Sequence, residues 1–578
     1  EQNITGSVIQ NRHRILLYLA LVFFIGLTVN TVSATQAHVR LSDPIYLFLD
    51  RLATQGVIPE LLNDTKPLRR ETVAKYLAKL DAHRDALAPV DQRILNEYLA
   101  NYRAELDDKP HFQLARDDHL DYLIKSPGRL KKGIGDIFQY HSRQEAHHFL
   151  VWEEDKSLVW LDWDEMGRIE TSNDLTRWIW QDGFRFSGQF GDHFTMYTDG
   201  YRYLQQLKTG FDSPTREYRG GRRQFADEKD TTFFGFDYSN AYLQYSTEYA
   251  GTFELGVEPI AWGNSDHSLI LSNNVDPFAF LGWQYHIGKS RFSFFHGSLL
   301  SSPVSTDTAI SSVRYARKYL VGHRWDLSPS DRLHLAFSEL VVYGDRAPDL
   351  VYLVPPVLLW PTQHNLRNRD NLLMAFEFEW FPVNRLKLYG TFFLDELRVS
   401  ELFGKWWGNK HGIQGGVHLT PAAFAIPWDV TLEFTAVRPW TYTHKQDVNT
   451  YTHHQRGLGL YAGPNSQLLT LQNRWWISTR QRLAVNFRQL KHGVEPLPVG
   501  DPDYYPLGSD PNQDYLQRNE NLDNKTTWLM GDIITTRDLE LRWKYRLSDI
   551  LTAELGYTYS TVDNDSFHYT FVQLRFDY

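Results

Sequence analysis

The sequence predicts an all-β transmembrane antiparallel barrel preceded by a small N-terminal α-helical module. Three observations lead there. From about residue 133 to the end, apolar and polar residues alternate at period two between recurring polar turns. The chain is polar on average, with a mean hydropathy of −0.45, yet 15% of it is aromatic. A closed membrane barrel reconciles those two values, because its lipid face is apolar while its lumen and loops are polar. The last strand is amphipathic and ends on an aromatic residue.

Composition removes other classes. None of the 578 residues is cysteine, which excludes a disulfide scaffold, a thiolate metal site, a cysteine nucleophile and a lipid-anchored lipoprotein. A formal net charge of −10 argues against a nucleic-acid partner. Residues 1–37 read as a signal peptide. Arg12 and Arg14 precede an apolar run, Ile15 to Leu27, that is shorter than the roughly 20 residues of a membrane-spanning helix. Small residues follow at Ala34 and Ala37.

Residues 38–108 read as a periplasmic helical module. Helical spacing starts after Ser42 and Asp43, and Gly56 and Pro59 stop it. A second helix opens near Thr65–Glu71, with Val73, Tyr76, Leu77 and Leu80 on one face. Pro89 breaks it, and a third helix runs from about Gln92 to Leu106. Three such helices make a marginal core alone. The module therefore reads as a plug or prop on a larger body.

Residues 109–578 read as the barrel. Alternation is clear at Phe184–Phe190, Leu386–Leu394, Leu539–Leu547 and Leu551–Tyr559. A tight polar turn followed by a strand recurs at Ser330–Leu335, Val383–Leu388 and Arg480–Val485. Looser copies stand at Gly191–Phe194 and Ser548–Leu551. Such turns suit one rim, and longer stretches such as Asp501–Asp514 suit extracellular loops. Hairpins of about 45–55 residues give about 16–20 strands. In the final strand Val572, Leu574, Phe576 and Tyr578 alternate with polar residues. This resembles the assembly signal of outer-membrane barrels and implies the barrel assembly machinery and outer-membrane lipid as partners.

Asp43–Pro59 and Lys66–Ala74 resemble the N-terminal helices of the capsule-assembly Wzi family. Gly256–Ser265, Ser268–Asn274, Tyr343–Leu350, His364-Asn365 and Arg369–Asn371 resemble its central strands. The resemblance implies a barrel of about 18 strands in the outer membrane, with helices on the periplasmic side. A monomer is expected. It also implies a lectin-like, non-enzymatic role that retains capsular polysaccharide or exopolysaccharide.

Sugar binding needs aromatic faces and planar polar groups. Trp262, Trp360, Trp406, Trp407 and Trp440 are candidate platforms, against the aromatic girdle that any barrel carries. On a strand, Trp406 and Trp407 would point to opposite faces. The segment 345–371 gathers Arg346, Asp349, His364, Asn365, Arg369, Asp370 and Asn371 among prolines. It reads equally as a glycan-binding constriction folded into the lumen and as a network bracing the wall. Asp266 and His267 are lumen candidates on the same logic. No nucleophile elbow, phosphate loop or zinc-protease motif is present. His147-His148, His453-His454 and the Asp501–Asp514 loop read as solvated groups, so no metal and no cofactor is expected. A porin and an outer-membrane lipid hydrolase are the rival readings.

Overall fold

The computed structural model describes residues 37–106, 149–154, 157–206, 210–211, 233–273, 275–307, 312–401, 404–422, 426–519, 525–548 and 550–577. The expected signal segment, except Ala37, lies outside them, as do His147-His148 and Tyr578.

Eighteen antiparallel strands close into a barrel. They are β1 Ser157–Ser172, β2 Leu175–Phe190, β3 Phe194–Gln206, β4 Phe233–Thr247, β5 Gly251–Glu258 and β6 Phe278–Ile287. Next come β7 Ser290–Asp307, β8 Ser312–Ser330, β9 Leu333–Gly344, β10 Asn371–Val383, β11 Leu386–Glu396 and β12 Lys410–Leu419. The rest are β13 Trp428–Val437, β14 Ser466–Trp476, β15 Gln481–Val494, β16 Asp532–Arg546, β17 Leu551–Val562 and β18 Asp565–Asp577. Closure joins β18 to β1, from Tyr569 opposite Ser172 to Asp577 opposite Asp164. A short strand, Leu150–Glu154, pairs with the first residues of β1.

Period two sorts the side chains. On β10, Phe376, Phe378 and Trp380 are exposed, while Leu373, Ala375, Glu377, Glu379 and Phe381 are buried toward the lumen. On β18, Val572 and Leu574 lie on the exposed outer face. The motif turns after β2, β8, β10, β14 and β16 all fall at one rim, where they hold two to four residues. At the other rim lie the long loops 259–277, 345–370, 397–409, 438–465 and 495–531.

The helices are α1 Ile45–Gln55, α2 Arg70–Ala82 and α3 Pro89–Asn101. Asp43 opens α1 by accepting the Ile45 N–H at 2.9 Å, and Gly56 ends it at φ 88°. Pro89 starts α3 at its first position; it does not merely break α2. Residues Thr65–Lys66 form a two-residue strand with Ala261–Trp262, and α2 begins only at Arg70. No described helix is long and apolar enough to cross a membrane. The module packs Phe48, Leu49, Leu52, Leu77 and Leu95 on one another and on the inward-facing Phe381 and Trp476 of the wall. It enters from the short-turn rim, where Arg385 N–H donates to the Thr54 carbonyl at 2.6 Å. Deeper in, Asp64 meets Arg324 at 2.6 Å and Arg291 at 3.2 Å.

The lumen above the module holds an apolar plug. Leu269, Ile270, Leu271, Tyr442, Tyr451 and Leu458, all from long loops, pack on inward residues of the wall such as Phe295, Leu320, Leu340, Leu373 and Phe393. Gly322 makes this possible: a Cβ there would stand 2.9 Å from the Trp262 ring.

Candidate functional site

The segment 345–371 does not constrict the lumen. On β9, Leu335 is exposed to the outside, and Glu339, Val341 and Tyr343 share its face, yet all three are buried. What covers them is the loop itself. Tyr352 and Leu359 pack on Phe294, Val321, Val341 and Tyr343. The backbone N–H groups of Leu359 and Trp360 donate to Glu339 at 3.1 and 3.3 Å. The loop is therefore a flap folded over the outer wall. Its sequence gave no sign of this, because an outward-facing glutamate looks like a lumen residue until its hydrogen-bond partners are known.

The bracing reading fits the flap. Arg346 makes a bidentate pair with Asp370 at 2.9 and 2.8 Å, and Tyr352 donates to the same carboxylate at 2.8 Å. Arg369 reaches Asp349 at 3.4 Å. Trp360 and His364 contact edge-on at 4.7 Å on the short helix Leu359–Asn365. Asn371 faces the lumen and donates to the Asn449 carbonyl at 2.9 Å.

Trp262 is corrected from platform to core: it is 2% exposed and packs edge-on against Phe295 at 5.0 Å. Trp440 is likewise fully buried. Asp266 and His267 line a polar cavity of about 280 Å³ between the module and the wall, with Asp50, Lys387, Glu433 and Arg474. His267 Nδ1 stands 3.2 Å from Glu433. A chamber of that size suits water or a small solute better than a polymer.

The remaining candidates converge at the long-loop rim. Trp406 and Trp407 lie in a loop, so the opposite-face rule for strands does not hold for them. Their rings are 5.9 Å apart. Loop 495–531 brings Tyr515 to 5.5 Å from Trp407, and it places Trp528 at 5.3 Å from the His411 ring at the start of β12. Guanidiniums complete the cluster. Arg518 lies 3.8 Å over Trp407, Arg398 lies 4.0 Å over Trp406, and Arg438 lies 6.0 Å from Trp528. The loops are locked together: Thr526 N–H donates to the Lys405 carbonyl at 2.7 Å, and Arg438 donates to Thr526 Oγ1 at 2.7 Å. Gly508, at φ 74°, lets Trp440 pack where a Cβ would come within 2.5 Å.

Burial, helped by Lys410 and Lys445, holds the nearby His444 at about 3, so it is neutral. The charge of this rim is therefore set by arginine and lysine against acidic groups that include Asp395, Glu396, Glu401, Asp447 and Asp514. Trp406, Tyr515 and Trp528 are half-exposed and Arg398 is exposed. Guanidiniums stacked on rings are suited to present donor forks to carboxylates and hydroxyls, and the half-open rings offer apolar faces to sugar C–H groups. Tyr515, Arg518 and Trp528 escaped the sequence reading, since nothing local links them to Trp406.

Other expectations resolve simply. His453 is corrected from solvated to buried: it uses both ring nitrogens on backbone, Leu300 N–H at 3.0 Å and the Pro277 carbonyl at 3.3 Å. Asp501, Asp510 and Asp514 each accept a backbone N–H two residues on, which makes them turn formers. A Ser–His pair exists, Ser328 with His334 at 2.9 Å, but the other His334 nitrogen is tied to the Pro59 carbonyl under the module. Histidine and carboxylate donors converge at the opposite rim, around His38, Glu254 and Glu258.

A family model described as capsule assembly protein Wzi matches residues 180–570. Among solved structures, the chain is similar to Wzi of Escherichia coli, described as an outer membrane protein involved in group 1 capsule assembly and a carbohydrate-binding β-barrel. The two are 15% identical with a TM-score of 0.53, and the match covers 94% of this chain and 99% of that one. OpdP (OccD3) of Pseudomonas aeruginosa matches at 11% identity and TM-score 0.38, over 73% of this chain and 91% of that one. OccAB3 of Acinetobacter baumannii matches at 10% and 0.37, over 72% and 99%. No curated protein matches in sequence.

Proposed function

The chain belongs to the capsule assembly protein Wzi family, and on that premise we propose that it retains capsular polysaccharide or exopolysaccharide at the cell surface as a non-enzymatic lectin. It is an outer-membrane β-barrel. The observation that carries the binding reading is the convergence of loops 397–409, 438–465 and 495–531 on one aromatic and arginine cluster. Trp406, Tyr515 and Trp528 supply faces, Trp407 is buried behind them rather than a platform, and Arg398 and Arg518 supply charge. An acidic polymer suits that set. Each contact is weak, but a repeating polymer engages many copies in the membrane, and avidity sums them.

In this reading the helical module sits on the periplasmic side, because short turns mark that rim in outer-membrane barrels. The module and the apolar plug close the lumen, which favours retention at the surface over passage through the barrel. The flap on the outer wall contacts outer-membrane lipid with Leu350, Val354, Leu358 and Trp360, all exposed. A monomer is sufficient for each of these roles.

The test is made in cells. A strain lacking the protein is to make the same total polymer and shed more of it into the medium. Complementation with the wild type restores retention, and the triple variant Trp406→Ala, Tyr515→Ala, Trp528→Ala does not. Equal shedding with and without the protein would remove the reading.

A further inference from the structure

We propose a divalent-cation site, of a kind suited to zinc, at the short-turn rim, formed by His38 Nε2, the Glu254 carboxylate and the side-chain oxygen of Gln244. His38 stands in the segment that leads into α1. It is held by a backbone bridge to Arg69 and by its N–H, which donates to Tyr242 Oη at 2.7 Å. Its Nδ1 lies 2.6 Å from Glu258 Oε1. A carboxylate in that position keeps the proton on Nδ1 and turns the Nε2 lone pair outward, the arrangement by which proteins orient a metal-binding imidazole.

The Nε2 lone pair meets two further groups. The Gln244 amide lies 2.6 Å away and Glu254 Oε2 lies 3.5 Å away. Gln244 and Glu254 are themselves 2.9 Å apart. Ligand atoms bound to one zinc ion at about 2.0–2.2 Å stand about 3–3.5 Å from one another. The three groups converge more closely than that at Gln244, so an ion entering there spreads the Gln244 amide outward to form one face of a coordination shell and keeps a position for water.

A second observation points the same way. Gln244 is 1% exposed, and its Oε1 has no hydrogen-bond partner; neither does the buried Glu254 Oε1. Buried polar atoms are seldom left so. A half-turn of the Gln244 amide brings its oxygen to the His38 side, where a cation would accept it. The charges agree. Glu254 and Glu258 both face this space, and Arg69 nearby donates to Thr252 at 2.5 Å and Gln284 at 3.2 Å. Arg69 offsets one of the two carboxylates, and around a neutral imidazole a cation is drawn to the negative charge that remains. The mixed nitrogen and oxygen set favours zinc over magnesium or calcium, which prefer oxygen alone. Bound there, the ion clamps the N-terminal segment to β4 and β5.

The test uses the full chain, purified in detergent, stripped by a chelator and titrated with Zn²⁺ against a chromogenic competitor. The expected result is about one tight zinc ion per chain, lost in His38→Ala and in Glu254→Gln. Glu258→Gln is expected to weaken binding by about 10–100-fold, the usual effect of removing an orienting carboxylate. Mg²⁺ at the same concentration should not displace zinc. His38 precedes every barrel strand, so His38→Ala serves where Glu254→Gln fails to fold, and heat-modifiable migration reports the fold of each variant. Wild-type zinc content no higher than that of folded His38→Ala overturns the proposal. So does zinc binding that survives both substitutions.

Discussion

Asp64 is the hinge of charge between module and barrel. Burial alone would raise its pKa, but Arg324 and Arg291 outweigh that and hold it at about 2. A carboxylate whose folded value lies below its unfolded value, about 3.9, stabilises the docked state fully above that value and loses the contribution as pH falls through the folded one. Docking of the module should therefore hold down to about pH 4 and weaken between about pH 4 and pH 2. Limited proteolysis of the helices across that range measures it, and release beginning at pH 6 would contradict it. Arg51 and Asp91 form a second, fully buried pair, with one hydrogen bond at 2.9 Å and the guanidinium 4.7 Å from the Trp476 ring. Asp91→Ala leaves that cation unpaired and should cost about 3–5 kcal/mol of module stability, read by denaturant unfolding. These partners were not legible in the sequence. Arg51 and Asp91 stand on different helices, and Asp64 finds its arginines across the barrel lumen.

At the scale of elements, local pattern and tertiary placement part company. Strands such as β16 and β17 follow from alternation alone, since one face must meet lipid and the other the lumen. Gly56 and Asp43 likewise mark the ends of α1 before any packing is known. The loops were different. Polar, proline-rich residues 345–371 satisfy one another equally well inside a lumen or on an outer wall, and only the burial of Glu339, Val341 and Tyr343 decides between them. Trp262 was misread for the same reason: its partners, Phe295 and the gap at Gly322, lie in strands remote in sequence. The two loops can be told apart functionally. Removing residues 350–366 should leave conductance in planar bilayers at background. Removing residues 265–272, which carry Leu269, Ile270 and Leu271 of the plug, should raise it. An open channel in the flap deletion would reverse the assignment.

Over the whole molecule, a barrel of this width is filled by pieces from both rims. The module rises from the short-turn end, and the apolar loops descend from the other. Much of the aromatic content serves the membrane, as Trp163, Trp178, Trp325 and Trp380 on the outer face illustrate. The binding reading rests on a smaller group gathered by three loops. Trp406 and Trp407 were visible as candidates, but Tyr515, Arg518 and Trp528 join them only through the fold. The most direct measurement is equilibrium binding of an acidic capsular polysaccharide to the purified, folded protein, followed by tryptophan fluorescence. Replacing both Trp406 and Arg518 by alanine should weaken binding by at least about tenfold, the equivalent of about 1.4 kcal/mol. Unchanged affinity in a folded Trp406→Ala, Arg518→Ala variant would contradict the account.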